Sequence, residues 1–399
     1  MADDSRPFDV VLFGVTGFTG GLTADYLAEH APADLRWALA GRSRSRLESV
    51  RTRLAADHPE RADLADLPLL VADASDAAAL AEVAAQAKVV ATTVGPYVQY
   101  GGPLVAACAA AGTDYVDLTG EPEFVDRTYV AHHATAEGTG ARLVHCCGFD
   151  SIPHDLGAYF TIEELAREVG GEITEPVQMQ GVVRSKAGFS GGTFHSALNA
   201  FARARQMKEA ASARRRIEPR PEGRRSRARA GRPGRDGTLG YWLLPLPTID
   251  PFVVARSGAA LPSYGPSFSY SHFAGTKTLR YAAGGAVGAT GLTVASQVPP
   301  LRKALLKRVP QGEGPSASRR EKSWFTVDFR ATSGDTEVRT KVSGGDPGYT
   351  ETAKMLAESA LSLALDDNPD VAGQLTPAAA MGDALLARLQ AAGMRFERC

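Results

Sequence analysis

Three glycines at three-residue intervals form the part of the chain best suited to chemistry. Phe8 to Phe13 has the length of a strand, Gly14-Val15-Thr16-Gly17-Phe18-Thr19-Gly20 follows it, and Leu22 to Ala28 has the pattern of an amphipathic helix. This order is typical of a dinucleotide-binding unit, in which glycine lets the backbone approach a pyrophosphate and free N–H groups at the helix start bind it. The spacing differs from the commoner G-x-G-x-x-G, so an ordinary tight turn is the alternative. The candidate cofactor-binding residues here are Gly14, Thr16, Gly17, Phe18, Thr19 and Gly20.

The end of the second predicted strand indicates which nucleotide binds. Leu35 to Ala40 reads as a strand, and Arg42, Ser43 and Arg44 follow Gly41. An NAD site usually has an acidic residue at this position, which accepts a hydrogen bond from the ribose 2′-hydroxyl. A guanidinium suits a phosphate instead, so these residues favour NADP(H) over NAD(H). The alternative is a solvated, basic helix start.

Alternating strands and helices continue to about residue 150. The further strands are predicted at Leu67–Asp73, Lys88–Val94, Asp114–Thr119 and Ala141–Cys147, with helices at Ala77–Ala87 and Leu104–Ala111 between them. This pattern predicts an α/β fold with a doubly wound, Rossmann-type parallel sheet over residues 1–153. Ligands bind such sheets at the carboxyl ends of the strands. Asp73 is therefore expected near the adenine side, and Gly95, Pro96 and Gly148 near the nicotinamide.

The same strand ends supply the candidate catalytic residues. Tyr97 is the first candidate proton donor, with packing against the cofactor as the alternative, and Asp150 and Ser151 are the second. His154 lies just beyond the cofactor edge and is a candidate for substrate contact, as is His195 beside the turn Ser190-Gly191-Gly192-Thr193. Asp117 and Glu121 are either acids with raised pKa values or groups that hydrogen-bond their loops. His145 reads as structural.

Composition excludes several classes of protein. The chain has 399 residues, 44% hydrophobic and 22% charged, with a net charge of −1, so nothing points to nucleic acid. The polar stretch from Met1 to Pro7 predicts no signal peptide. The spacing of the four cysteines fits no zinc site, and no metal is expected. A cytoplasmic location is the simplest expectation.

A second domain of mixed α/β structure, with a largely antiparallel sheet, is predicted over residues 154–345. Its expected strands are Val177–Val183, Trp324–Ala331 and Thr336–Val342, the last two joined by a turn at Ser333–Asp335, and a helix is expected over Phe194–Met207. Residues 346–399 are expected to form C-terminal helices, at Thr350–Leu365 and Thr376–Gln390.

A strongly basic segment occupies residues 203–235, which contain thirteen arginines or lysines and three acids, a net charge of +10. With few large apolar residues, its part from about 208 to 235 is expected to be a mobile loop. It is either a solvated surface insertion or a site for an anionic partner or a membrane surface to which the protein binds peripherally. Nucleic acid is disfavoured, because interleaved aromatic residues are missing.

Residues 281–301 carry no charge and lie between basic flanks. The length approaches that of a membrane span, but four glycines and few large apolar residues argue against one. A buried or interfacial helix lining an apolar pocket is expected, which would suit a long-chain or carrier-bound lipid substrate. Ordinary core packing is the alternative.

Several motifs resemble those of saccharopine dehydrogenase-like oxidoreductases. In the first domain they are Gly14–Gly20, Ala40–Ser43, Val94–Tyr97, Tyr115–Glu121 and Cys147–Pro153; in the C-terminal half, Ser190–Thr193, Gly312–Ser316 and Gly345–Tyr349 resemble the actinobacterial branch of trans-acting enoyl reductases. The resemblance implies an NADP-binding domain, a mixed α/β second domain, C-terminal helices that return to the first domain, and a homodimer.

For this branch, the resemblance implies reduction of a carbon–carbon double bond in a polyketide- or lipid-like intermediate. The partner would be an apolar small molecule or a carrier-bound acyl substrate. Two alternatives remain: an NADP-dependent dehydrogenase acting on a C–N or C–O bond, and a non-catalytic lipid-surface or scaffold protein. No set of groups suited to an amino-acid diacid stands out in the sequence.

Overall fold

The computed structural model describes residues 6–187, 198, 202–308 and 314–399. Ser190–Thr193 and His195 lie outside the described residues, as do 194–197 and 199–201 of the helix expected over 194–207. Within the described residues, one parallel sheet and one mixed sheet form the centres of two domains, which confirms the predicted fold class.

The first sheet is parallel throughout, with strand order β14-β6-β5-β4-β1-β2-β3. Its strands are β1 (Phe8–Phe13), β2 (Trp37–Gly41), β3 (Leu69–Val71), β4 (Ala87–Thr92), β5 (Asp114–Asp117), β6 (Arg142–Val144) and β14 (Gly373–Leu375). β2 is buried on both faces, and so is β1 from Asp9 to Phe13, which explains their near-continuous apolar runs. The chain reverses its direction of progress across the sheet between β1 and β4, the position where such sheets bind ligands.

Helices cover both faces of this sheet. They are α1 (Phe18–His30), α2 (Arg44–Asp57), α3 (Ala77–Ala85), α4 (Tyr97–Tyr100), α5 (Gly102–Ala111) and α6 (Pro122–Thr139). Asp76 caps α3 by accepting hydrogen bonds from two backbone N–H groups. α5 and α6 each end at a glycine with positive φ, Gly112 at 67° and Gly140 at 83°, which turns the chain back toward the sheet.

The second sheet is mixed, with order β15-β13-β12-β7-β11-β10-β9 and β8 paired to β11. Its strands are β7 (Val177–Lys186), β8 (Arg225–Ala228), β9 (Gly234–Arg235), β10 (Trp242–Pro245), β11 (Ser267–Thr276), β12 (Trp324–Ser333), β13 (Thr336–Gly344) and β15 (Arg395–Arg398). β12 and β13 form the expected antiparallel hairpin. β7 is antiparallel to β12 and parallel to β11, so the sheet is less uniformly antiparallel than expected.

The remaining helices join the two sheets. They are α7 (Ile152–Glu168), α8 (Ala204–Ile217), α9 (Asp250–Ala260), α10 (Leu279–Gln297), α11 (Pro299–Arg308), α12 (Ala317–Arg320), α13 (Thr350–Leu365) and α14 (Pro377–Ala391). α7 packs closely on the second sheet, because a Cβ on Gly157 would lie 2.4 Å from the ring of Phe329. α13 packs against α1 and the first sheet, α14 packs against α7 and α13, and the terminal strand β15 ends in the second sheet.

The expectation of a mobile loop over residues 208–235 is wrong. Within it lie most of α8, then β8 and β9. Two arginines have partners on α6: Arg203, just before α8, lies 2.6 Å from Glu123, and Arg214 of α8 lies 2.6 Å from Asp126. Acidic residues far away in sequence thus neutralise part of a segment that looks unpartnered by composition alone.

The uncharged segment from 281 to 301 is helical over most of its length, but its described ends are not buried. Tyr281 is 74% exposed and Val294 is 61% exposed, which disfavours for these residues both a buried helix and the alternative of ordinary core packing. Among the described residues, no helix has the length and apolar character that crossing a membrane requires.

Candidate functional site

The glycine turn between β1 and α1 forms a cradle that larger residues would fill. Gly14 has φ 97°, and a Cβ on it would lie 2.7 Å from Val94 Cγ2. A Cβ on Gly20 would lie 2.3 Å from the carbonyl oxygen of Gly14, to which the Gly17 N–H also donates. The first N–H groups of α1 have no partner within the helix and are free to bind an anion. The turn therefore fits a pyrophosphate.

Residues from the C-terminal half cover this turn. The ring of Phe18 makes an edge contact with Tyr349, with 5.0 Å between ring centroids, and the Arg320 guanidinium lies 5.5 Å from its centroid. Thr16 and Gly17 are exposed, and Thr19 is partly buried. Arg320, which no local motif in the sequence marks, brings a positive charge close to the predicted pyrophosphate turn.

The end of β2 presents the basic residues expected for a 2′-phosphate. Arg42 and Arg44 are exposed, Arg44 is 3.4 Å from Glu48, and Ser43 immediately precedes α2. Asp73 is exposed after β3, where hydrogen bonds from Ser75 and the nearby charge of Arg42 lower its pKa. These positions fit the ribose and adenine end of NADP(H).

Tyr97 is held by the backbone rather than presented to a ligand. It follows the cis Gly95–Pro96 peptide and is 6% exposed. Its hydroxyl donates to the Thr92 carbonyl oxygen at 3.2 Å and accepts from the Leu118 N–H at 3.1 Å. Burial raises its pKa well above its usual value. This geometry disfavours the predicted role of proton donor and suits a residue that fixes the loop after β4.

Two buried acids also hold loops at this edge. Glu121 accepts hydrogen bonds from the backbone N–H groups of Tyr97 and Val98. Asp117 lies 2.7 Å from His145 Nδ1 and accepts from the Cys146 N–H. This is the loop-bonding alternative for the two acids, and it agrees with the structural interpretation of His145.

Five polar side chains meet where the loop after β6 reaches the second domain. They are Asp150, Ser151 and His154, from the loop after β6 and the first turn of α7, with Asp250 from the start of α9 and His272 from β11. Asp250 lies close to three of the others. One oxygen of its carboxylate is 3.4 Å from Ser151 Oγ and 3.7 Å from His154 Nε2, and the other oxygen is 3.7 Å from His272 Nε2. We call these five residues the polar cluster.

Aromatic groups and backbone geometry fix the polar cluster. The rings of His154 and His272 are 4.6 Å apart, and Tyr270 OH is 3.0 Å from His272 Nδ1. Phe149 packs edge-on against His154. Ser151 has φ 142°, a conformation that costs energy for a residue with a Cβ and that is often found at functional sites. This backbone turn determines where Asp150 lies, close beside Gly120.

Burial gives the polar cluster an unusual charge state. It lowers the pKa of His154 and of His272 to about 3, so both imidazoles are neutral at pH 7. Burial and the neighbouring Asp250 raise the pKa of Asp150 to about 7, so this carboxyl group can hold a proton near neutrality. Asp150 alone of the five retains partial exposure, and His154 Nδ1 is buried without a hydrogen-bond partner among the described residues.

The same residues have the composition of a divalent metal site. Ligand atoms of His154, Asp250 and His272 all lie within 4.8 Å of one another. Two imidazoles and a carboxylate are ligands that zinc or iron accepts. We expect no metal from the sequence, because cysteine spacing, on which that expectation rests, does not reveal a combination of two histidines and an aspartate.

The structure thus brings together three of the four predicted catalytic residues, Asp150, Ser151 and His154, and separates Tyr97 from them. Gly148 packs beside Leu118 and Thr352 at the base of the same loop. Asp250, His272 and Tyr270 are missed. An Asp-Pro helix start at Asp250 and the alternating residues of β11 are the only local signals of these positions.

Comparison with known proteins identifies the first domain. The family model for the saccharopine dehydrogenase NADP-binding domain matches residues 10–144. Together with the glycine cradle and Arg42, this match shows that the domain binds NADP(H).

Two relatives that are similar over the full length come from mycobacteria. One is a protein of Mycobacterium tuberculosis H37Rv that is provisionally named a trans-acting enoyl reductase. It is 44% identical to this chain, over 100% of this chain and 99% of its own length. A trans-acting enoyl reductase of Mycobacterium bovis BCG is 39% identical over 99% of this chain and 98% of its own.

Among solved structures, apo saccharopine dehydrogenase (L-Glu forming) of Saccharomyces cerevisiae is similar, with a TM-score of 0.54, 13% identity, and coverage of 98% of this chain and 99% of that one. At this identity, the similarity concerns the fold alone.

Proposed function

Because the chain belongs to the trans-acting enoyl reductase family, we propose that it uses NADPH to reduce the carbon–carbon double bond of an α,β-unsaturated acyl intermediate. The polar cluster is the observation that carries this proposal. It lies at the carboxyl edge of the NADP-binding sheet, where the second domain meets it.

The charge state of the polar cluster favours a neutral substrate. His154 and His272 are uncharged at pH 7, and the other three residues are two carboxyl groups and a hydroxyl. A substrate with several carboxylates, such as an amino-acid diacid, would meet no cation within the cluster and would lie near Asp150 and Asp250. An acyl thioester brings only a carbonyl group, for which neutral hydrogen-bond donors suffice.

Four members of the polar cluster have roles suited to their positions. NADPH supplies a hydride when bound. Asp150, partly exposed and with a pKa of about 7, delivers the proton. His154, whose Nδ1 is unpartnered among the described residues, donates a hydrogen bond to the substrate carbonyl oxygen. Asp250 and Tyr270 position His272, which packs against His154.

We propose that the acyl substrate is apolar and reaches the protein on a carrier. The word trans-acting in the relatives' name supports delivery by a separate protein. All four cysteines are free thiols, which supports a reducing, cytoplasmic setting.

The proposal is tested by following NADPH oxidation with a panel of substrates. The panel contains trans-2-enoyl thioesters of increasing chain length, a 2-oxo acid with an amine, and simple ketones. We expect turnover with long enoyl thioesters only, and a large loss of kcat in Asp150→Asn. Turnover with the 2-oxo acid and amine would indicate a C–N dehydrogenase. NADPH binding without turnover on any of them would favour the non-catalytic alternative.

A further inference from the structure

A long part of the second domain contains no acidic residue. Residues 251–312 include seven arginines or lysines and no aspartate or glutamate, so this part has a charge of +7 and the rest of the chain −8. Six of the seven basic residues flank or lie on α10 and α11. The positive charge is therefore concentrated at one pair of helices.

The described faces of these two helices also expose large apolar side chains. Leu279 and Tyr281 in the first turn of α10 are 56% and 74% exposed, Val294 near its end is 61% exposed, and Leu301 on α11 is 51% exposed. Single exposed apolar residues are common, but a series along two consecutive helices marks an interaction surface. α10 has 19 residues and is thus about 28 Å long.

The basic residues at the start of α10 are not placed to stabilise the helix. Lys277 and Arg280 are exposed at its N-terminus, where the helix dipole is positive and a nearby cation is unfavourable. An anion bound there would offset both the dipole and the side-chain charges. Lys303, exposed on α11, adds a cation at the other end of the apolar series.

We propose that α10 and α11 dock the protein on the surface of an anionic lipid bilayer. Leu279 and Val294, which lie roughly 60° apart around α10, and Leu301 on α11 enter the boundary between headgroups and acyl chains, and the basic residues bind lipid phosphates. A folded acidic partner would need a matching surface. Apolar side chains spread along two helices suit a fluid phase that needs none. The inference does not depend on the reaction catalysed.

Co-sedimentation of the full chain with vesicles tests this surface. The vesicles are phosphatidylcholine alone, or phosphatidylcholine and phosphatidylglycerol in equal amounts. We expect binding to the anionic vesicles only. Lys277→Glu with Arg280→Glu should weaken that binding at least about thirty-fold, because each cation near an anionic surface contributes roughly five-fold in affinity and reversal of its charge removes more than neutralisation does. Leu279→Ser with Val294→Ser should weaken it as well, since apolar insertion is lost.

The matched control is Arg215→Glu with Arg216→Glu, which reverses the same number of exposed charges on α8. Its binding should equal that of the wild type, and NADPH binding by every variant checks that the fold is kept. Failure of the wild type to bind anionic vesicles would overturn the proposal. So would an equal loss in the α8 variant, which would assign binding to the basic segment. Capture of an acidic acyl carrier protein without vesicle binding would overturn it too.

Discussion

Asp150→Asn removes the ionisable group on which the proposed reaction depends most. The pKa of Asp150 is about 7 in the folded protein and 3.8 for an ordinary aspartate. The native state therefore binds more protons than the unfolded state between these values, and this group makes the protein less stable as pH rises from 4 to 7. About three pKa units correspond to roughly 4 kcal/mol, and partial exposure of Asp150 reduces this to about 2–4 kcal/mol.

The measurement is the free energy of unfolding in denaturant from pH 4 to pH 8.5, taken as the difference between wild type and variant. A difference is needed because His154 and His272 act in the opposite direction. Their pKa values of about 3 lie below the usual 6.5, so they make the protein more stable as pH rises through that window. Relative to wild type, the free energy of unfolding of Asp150→Asn should increase as the pH rises to 7, and this difference should not change further above pH 7.

Turnover should follow the same group. If Asp150 delivers the proton, kcat of the wild type falls above about pH 7. Asp150→Asn should lose roughly 10²–10⁴-fold in kcat, and its kcat should not show this fall above pH 7. Asp34→Asn, at an exposed turn, is the control and should change neither property. A stability difference independent of pH, or an unchanged pH profile of kcat in Asp150→Asn, would refute the reasoning.

Three other substitutions test the cofactor domain. Arg42→Ala should weaken NADPH binding by about 1.5–3 kcal/mol and leave NADH binding unchanged, while Arg46→Ala, one turn further on, should affect neither in a fluorescence titration. Gly20→Ala should lower the free energy of unfolding in denaturant by about 1–3 kcal/mol, because its Cβ would lie 2.3 Å from the Gly14 carbonyl oxygen. Gly17→Ala is the control and should be tolerated, because its Cβ would lie 3.5 Å from the same atom. Tyr97→Phe should cost about 1–3 kcal/mol of stability by leaving the Leu118 N–H unsatisfied, and a kcat loss well below 10²-fold would exclude Tyr97 as the proton donor.

The cofactor half of the site is predictable because its chemistry is local in sequence. A strand, three glycines and a helix start follow one another within twenty-odd residues, and Arg42 follows the next strand directly. Each feature depends on backbone geometry that its own neighbours determine. Even so, the covering of Phe18 by Tyr349 and Arg320 could not be predicted, because it requires the C-terminal half to return to this turn.

The substrate half depends on contacts between distant segments. Asp250 and His272 reach His154 only because α9 and β11 pack against the start of α7. Nothing near either residue in sequence distinguishes it from an ordinary helix cap or a strand residue. Tyr97 shows the opposite error: its position after a strand suggests chemistry, but only the packed structure shows that the backbone occupies its hydroxyl.

The basic segment illustrates why composition alone predicts disorder poorly. If its arginines are counted without the acidic residues that pair with them, the segment has too much positive charge for a compact domain. Arg203 and Arg214 have acidic partners on α6, and β8 pairs with β11, so a large part of the segment becomes regular structure.

The most direct test of the central claim is isotope transfer from NADPH deuterated at C4 to a long-chain trans-2-enoyl thioester, followed by mass spectrometry of the product. We expect a saturated acyl thioester with one deuterium from the cofactor on its acyl chain and one proton from solvent. Recovery of unreduced thioester with intact NADPH, under conditions where NADPH binding is demonstrated, would contradict it.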